Sequence, residues 1–423
     1  MTSAAWLLSA GFAALAAAGV PFAFAIAATV IAVMLTTDMA PEFLPQMTIA
    51  ATQSFSLLGI PFFMLAGELM TAGGLSRRLI AMADVLVRHL PGGLALVTLG
   101  AAVLFSTISG SAPATTAAIG AIMIPAMAER GYSRAYAAAL CVSAGVLAPL
   151  FPPSIAFIIW GAIAEQSISQ LFLSGIVPGL LMTALLCIYA VVKAKRDATP
   201  RLPRATVKEA VAAWREGIWA LLAPVIILGG IYSGQFTPTE ASAVACAYAF
   251  FVGFVIERKL SWPQMPGLVI NAMLMTAVVM AVVIFSRSFG VLIAQEQLSD
   301  KLALALETHL REPWVILLVL NTAFFLLAAV MDEIAIMLIF GPMLIKIATQ
   351  IGVDPIQFGA IIVTNVAIGM AAPPIGYCLF VAMAVAKTSL GEISRAIWPQ
   401  VALMLVVLML VTYVPAVSLL LVR

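Results

Sequence analysis

Charge is what this sequence has least of. Only 9% of its 423 residues are Asp, Glu, Lys or Arg, while 63% are hydrophobic; an average soluble domain carries about 25% charged and roughly 45–50% apolar residues. That deficit excludes a water-soluble globular protein. A net charge of +2 is too small to draw a nucleic acid. Histidine occurs only as His89 and His309, both at segment ends beside charged loops, so a Ser–His pair has no imidazole within reach of a buried hydroxyl. An aspartyl dyad needs two carboxylates sharing a proton, and Asp332 has no second buried Asp with a clear claim. An enzyme is therefore not expected. Cys141, Cys187, Cys246 and Cys378 stand singly in apolar stretches, a spacing that suits neither a disulfide framework nor a thiolate metal site. The N-terminus lacks the basic start of a secretory signal, and the apolar run from Ala4 to about Leu35, past a break at Val20-Pro21, reads as retained membrane structure.

What is abundant is apolar runs long enough, at about 1.5 Å per residue, to cross a hydrocarbon core of about 30 Å. Stretches such as Leu403 to Val411 are apolar on every face, unlike the alternating strands of about 10 residues in a membrane β-barrel. An all-α polytopic membrane protein follows. Segments are expected at 4–19, 21–36, 48–70, 92–109, 111–128, 134–163, 171–192, 217–233, 239–256, 266–286, 313–330, 332–350, 355–385 and 396–422. Two of them, 134–163 and 355–385, are too long for one straight span and carry a Pro pair in the middle, so they read as broken helices.

Basic residues of polytopic proteins concentrate on the cytoplasmic side. If 92–128 and 313–350 are hairpins that leave on the side they enter, sixteen of the 21 Lys and Arg residues fall on one face. They run from Arg77 through the cluster Lys193 to Arg215 and on to Arg395, and leave Arg287, Lys301, Arg311, Lys346 and Arg423 for the other face. The crowded face is expected to be cytoplasmic, with 193–216 as a cytosolic linker and the acidic loop 296–312 outside. The count alone does not separate re-entrant hairpins from pairs of full spans.

The second half echoes the first at an offset near 220. Pro152-Pro153-Ser154 matches Pro373-Pro374-Ile375, Gly131 matches Gly352, His89-Leu90 matches His309-Leu310 and Pro125 matches Pro342. Under the topology above the halves 1–192 and 217–423 are inverted repeats, each with a hairpin and a discontinuous helix. That pattern belongs to secondary transporters, whose ions and substrate bind where half-helix ends meet.

Four segments are candidates for chemistry. Ser106 to Thr116 is a small, hydroxyl-rich interruption between apolar arms; open backbone at membrane depth is tolerated only inside protein or along a cavity, and oxygen donors suit a hard cation such as Na⁺. Small residues there also let helices approach closely. Gly145 to Ser154, with three prolines in five positions, and its counterpart Asn365 to Gly376 free backbone carbonyls as further ion ligands. Met331-Asp332-Glu333 aligns with Ala114-Thr115-Thr116; Asp332 fits compensation of a cation's charge, support of the hairpin tip, or an ordinary helix start at the aqueous mouth. Arg287 fits contact with a carboxylate substrate or snorkelling to the interface. The turn Gly230 to Ala241 reads as a sharp turn and helix start, with Thr237 or Thr239 as the cap and Glu240 in the first turn.

Taken together these motifs resemble the large membrane subunit of tripartite ATP-independent periplasmic (TRAP) transporters. The carrying residues are Ser233-Gly234-Gln235-Phe236-Thr237-Pro238-Thr239-Glu240-Ala241, the run Ser109-Gly110-Ser111 through Ile124-Pro125 to Gly131-Tyr132, Pro152-Pro153-Ser154, Met331-Asp332, and Gly369 with Pro373-Pro374-Ile375-Gly376. The resemblance implies a Na⁺-driven importer of organic acids in a bacterial inner membrane, with an elevator-like transport domain. It implies two partners, a periplasmic substrate-binding protein and a small membrane subunit, which is expected to be absent from this chain. Carried over by motif, Ser109, Gly110, Ser111 and Ser154 belong to a first Na⁺ region, and Asp332, Gly369, Pro373 and Gly376 to a second. The sequence departs from the family pattern at Ala372, where Thr is usual before the Pro pair, at Glu333, where a small polar residue is usual, and at Lys346, where Pro is usual. A Na⁺/anion symporter of related architecture that works without a binding protein is the alternative.

Overall fold

The computed structural model describes residues 3–37, 39–197, 199, 202–298, 301, 304, 310 and 312–422. His309, Arg201, Arg311, Arg423 and most of the expected outer loop 296–312 lie outside the described residues. Those described form helices joined by short turns, with no strand among them. Among the described residues six helices are long and apolar enough to cross a bilayer, or seven if the bent pair Arg134–Leu150 and Ile155–Ala164 counts as one span.

Helix starts follow local chemistry. Thr206 and Glu209 form a capping box, the Thr206 hydroxyl accepting from Glu209 N at 3.2 Å and the Glu209 carboxylate accepting from Thr206 N at 2.9 Å. This starts helix Val207–Tyr232 some ten residues before the apolar run at 217–233, and helix Ile168–Arg196 ends late. Of the described residues between the halves, only 197, 199 and 202–206 are thus without helix. Ser389 with Glu392 and Thr237 with Glu240 repeat the box. Of the two hydroxyls available at the 230–241 turn, Thr237 is the cap, while Thr239 donates to the Phe55 carbonyl at 3.1 Å and ties the turn to its neighbour.

The segment expected as one span at 48–70 is two helices, Phe43–Thr52 and Gly59–Ala72, with a 3₁₀ turn Phe55–Leu58 between them. The polar run Thr52-Gln53-Ser54 interrupts it, and Pro61 is accommodated in the first turn of the second helix, where no amide partner is needed. A further helix, Leu75–Val87, is amphipathic: Leu75, Leu79, Met82 and Ala83 face inward, while Arg78 pairs with Glu257 at 3.1 Å and with Glu216. Arg88, just after it, binds Glu209 at 2.6 Å. These ion pairs fasten it to Val207–Tyr232 and to the end of the helix begun at Pro238.

At the centre lie two helical hairpins and two broken helices. The first hairpin is Gly93–Ser109 followed by Ala112–Glu129, and the second is Pro313–Ala328 followed by Glu333–Gln350. The first broken helix runs Arg134–Gly145, turns through 146–154 and resumes as Ile155–Ala164, the two parts bent by 41°. The second runs Pro355–Gly369 and resumes as Tyr377–Ala386. Both Pro pairs, Pro152-Pro153 and Pro373-Pro374, have cis peptide bonds. Each resumed half-helix crosses to the other half of the chain, Ile155–Ala164 packing on Glu333–Gln350 and Tyr377–Ala386 on Ala112–Glu129.

Specific contacts hold this centre. Trp160 is fully buried and meets Phe358 edge-on at 5.8 Å, joining the two broken helices; such pairs contribute roughly 0.5–1.5 kcal/mol beyond area burial. Asn365 Nδ2 donates to the Asn321 carbonyl at 2.9 Å, and Asn321 Nδ2 donates to the Thr412 hydroxyl at 2.8 Å, linking three helices through a buried polar chain. Interhelical hydrogen bonds of this kind contribute about 0.6 kcal/mol each on average in a membrane protein.

Thr237→Ala is expected to cost about 1 kcal/mol, the usual loss on removing an N-cap hydroxyl, and to lower the thermal unfolding midpoint in detergent. Thr237→Ser should restore it. An unchanged midpoint for Thr237→Ala would show that Glu240 and Pro238 suffice to start the helix.

Candidate functional site

Each hairpin tip leans on the break of its own half. Gly110 closes the first tip at φ +60°, and a Cβ there would lie 2.3 Å from the Pro153 carbonyl oxygen. The left-handed turn and the close approach both require glycine at this position. In the second half Gly369 is pressed against Ala328, where a Cβ would come within 2.1 Å of the Ala328 Cβ. Gly376 N donates to the Ala329 carbonyl at 2.9 Å, and Cys378 N to the Met370 carbonyl at 3.1 Å. The Gly376 amide, released by the unwound stretch, is thus taken up by the neighbouring tip, while the Cys378 amide is taken up within the break itself.

The two tips open onto one cavity of about 420 Å³. Ser109 and Ser111 reach it from the first tip, and Asp332 and Glu333 from the second. The first turns of the resumed half-helices arrive at Ile155 and Tyr377, and Glu68 stands on helix Gly59–Ala72. Ser111 precedes helix Ala112–Glu129 in extended conformation without capping it, so its hydroxyl is not spent on the helix start. Asp332 does cap: its Oδ1 accepts from Ile334 N at 3.0 Å and Ala335 N at 3.4 Å, while Oδ2 takes part in neither bond and the residue is open to the cavity. Ser154 is fully buried, and its hydroxyl accepts from Phe157 N at 3.3 Å. Helix C-terminal ends at Ser109, Ala328, Gly145 and Gly369 present carbonyls that favour cations, and the N-terminal ends of the return arms and half-helices present amides that favour anions. The arrangement can therefore hold ions of both signs close together.

Of the residues singled out by sequence, Ser109, Ser111 and Asp332 line this cavity, while Gly110, Ser154, Gly369, Pro373 and Gly376 lie at the tips and breaks behind it. Arg287 does not join them. Helix Met265–Gln295 continues past the expected end at 286, and exposed Arg287 faces a separate cavity of about 310 Å³ shared with Ser54, Glu165 and Ser286. Glu68 was not a sequence candidate, although a lone carboxylate inside an apolar run is itself a signal. Tyr377 gave none.

Hairpins and broken helices gathered around one cavity, with six or seven bilayer-length apolar spans among the described residues, define a multi-pass α-helical membrane protein of transporter type. The family "Tripartite ATP-independent periplasmic transporter, DctM component" matches residues 9–417. The chain belongs to this family of large permease subunits, and the family is a transporter rather than an enzyme. It is 41% identical over 368 residues to the C4-dicarboxylate TRAP transporter large permease protein DctM of Pseudomonas aeruginosa, covering 87% of this chain and 86% of the relative. It is 40% identical over 400 residues to the 2,3-diketo-L-gulonate TRAP transporter large permease protein YiaN of Escherichia coli, covering 94% of each. The isethionate TRAP transporter permease protein DctMQ of Oleidesulfovibrio alaskensis is 40% identical over 401 residues, and here the match covers 94% of this chain but 63% of the relative. In fold the chain is similar to the Alcanivorax borkumensis YdaH transporter, with a TM-score of 0.60 at 18% identity over 88% of this chain and 86% of that one.

Gly110→Ala and Gly369→Ala each force a methyl group into an occupied position and should cost about 1–3 kcal/mol. Both variants are expected to insert in the membrane at wild-type levels yet lose most transport in reconstituted vesicles. Wild-type transport by either would show that the tip and its break need not touch.

Proposed function

We propose that the chain is the large membrane subunit of a Na⁺-driven importer of an organic acid in a bacterial inner membrane. The observation that carries this reading is the single cavity lined by Ser109 and Ser111 from one hairpin and Asp332 from the other, in a member of the DctM family. Ser109, Gly110, Ser111 and Ser154 contribute to a first Na⁺ region, and Asp332, Gly369, Pro373 and Gly376 to a second. Hydroxyl, carboxylate and freed carbonyl oxygens are the donors a hard cation prefers. Ala372 supplies no hydroxyl to the second region, which leaves that region to backbone oxygens and Asp332.

Residues 1–192 and 217–423 are inverted repeats, and 193–216 joins them on the cytoplasmic face. The exchange of half-helices between the halves supports this, as does the offset near 220 between their Pro and Gly anchors. The hairpins with their broken helices move as one body against the remaining helices, in an elevator-type cycle. A periplasmic binding protein delivers the substrate and a small membrane subunit joins this one. Relatives named for C4-dicarboxylate, 2,3-diketo-L-gulonate and isethionate support a small organic anion as cargo. Arg287, at the neighbouring cavity, meets its acidic group.

The test is uptake into proteoliposomes holding this chain and its small subunit, with the binding protein encoded beside it. Uptake is expected only when an inward Na⁺ gradient and the binding protein are both present. Uptake without the binding protein would favour the alternative symporter, and gradient-independent conductance a channel. Ser111→Ala and Asp332→Ala should each raise the half-saturating Na⁺ concentration by about tenfold, equivalent to about 1.4 kcal/mol, with normal membrane insertion. An unaltered Na⁺ dependence in both would remove the site assignment.

A further inference from the structure

Glu333 opens the return arm of the second hairpin, where its side chain is only 6% exposed. Its Oε2 is buried without a hydrogen-bond partner, and the residue lines the cavity between the tips. Asp332 adjoins it on the same tip, and Glu68 stands on the facing helix Gly59–Ala72. From the first hairpin come only the hydroxyls of Ser109 and Ser111, and from the resumed half-helix the phenol of Tyr377. No Lys, Arg or His is among the residues lining this cavity. A buried carboxylate without a partner is strongly unfavourable, and a second carboxylate beside it makes matters worse. A bound cation relieves both costs. We propose that Glu333 anchors an additional monovalent-cation subsite in this cavity, with Glu68 closing it from the facing wall. The subsite rests on the Na⁺-coupled reading above and adds to its two Na⁺ regions.

The spacing argues for a singly charged ion. Among the described residues no three His, Cys, Asp or Glu side chains converge as a metal cluster, whereas a divalent ion such as Ca²⁺ needs about six to eight oxygens close in. Glu333 on the tip and Glu68 across the cavity, with Asp332 given to the second Na⁺ region, suit a cation that keeps part of its own shell. Free Na⁺ and an ammonium group carried on a substrate share that chemistry.

The two sources separate in one experiment on the purified full chain with its small subunit in lipid nanodiscs. Thermal unfolding is followed against NaCl, or against methylammonium chloride, with choline chloride holding ionic strength constant. Wild type is expected to be stabilised by NaCl with a steep dependence. In Glu333→Gln the Hill slope should fall by about one, while the variant unfolds later than wild type in choline alone, because the unpaired charge is gone. Glu68→Gln, further from the tip, should raise the half-saturating Na⁺ about tenfold, and it carries the test should Glu333→Gln fail to fold. Stabilisation by methylammonium instead of Na⁺, lost in Glu333→Gln, supports the subsite with an ammonium group as its occupant and removes Na⁺ coupling. A wild type that responds to Na⁺ beside glutamine variants with the same curve overturns the subsite and leaves the two Na⁺ regions standing. A wild type indifferent to both cations overturns both.

Discussion

Every peptide group that leaves a helix within a bilayer must find a partner inside the protein, because hydrocarbon offers none and each unsatisfied group costs several kcal/mol. The chain departs from helix at two deep places, 146–154 and 370–376, and each departure is met by a hairpin tip. The Ala329 carbonyl receives the Gly376 amide, and the Pro153 carbonyl lies where Gly110 leaves room for it. From this one requirement follow the glycines at the tips, the small residues around them and the clustering of hydroxyls. It also brings four helix ends to one cavity, since a tip that must touch a break in its own half is set beside the half-helix sent across from the other.

Polar groups are placed unevenly around that centre. The chain Asn365–Asn321–Thr412 joins helices through its amide donors and holds them in register, whereas Asn365 Oδ1 and Glu333 Oε2 are left over. Where a buried polar group is satisfied it serves packing; where it is not, the surroundings of the cavity decide what it is for. The separation of Arg287 from Asp332 has a similar logic. Helix Met265–Gln295 turns Val279 and Val282 toward one cavity and Val283 and Arg287 toward the other, so a single helix divides the cavity that holds Asp332 and Glu333 from the one that holds Arg287 and Glu165.

Much of this was legible in the sequence, for physical reasons that also mark where legibility ended. Pro pairs in apolar runs too long for one span announced the breaks, and the hydroxyl-rich interruption at Ser109-Gly110-Ser111 announced a tip, because both are departures from a monotonous background. Helix Leu75–Val87 was hidden for the opposite reason: Arg77, Arg78 and Asp84 alternate with Leu79 and Met82, and hydropathy averages them to nothing although the helical period separates them. The run at Arg287 was cut short because one cation lowers a hydropathy window without disturbing the backbone. Glu68 was overlooked because its neighbours Leu65, Leu69 and Met70 carry the window. Which cavity a residue faces is a matter of tertiary rotation, and no local pattern encodes it.

The exchange of half-helices has a bearing on biosynthesis. Ala112–Glu129 is made well before the segment that covers it, Tyr377–Ala386. Until that segment is made, the first hairpin faces the translocon and surrounding lipid with one flank bare, and the nascent chain holds an unfinished core. Domains usually fold as units as they emerge; here closure waits on Tyr377–Ala386, so a truncation before it would leave the earlier-made hairpin, not just the later helices, without its fold.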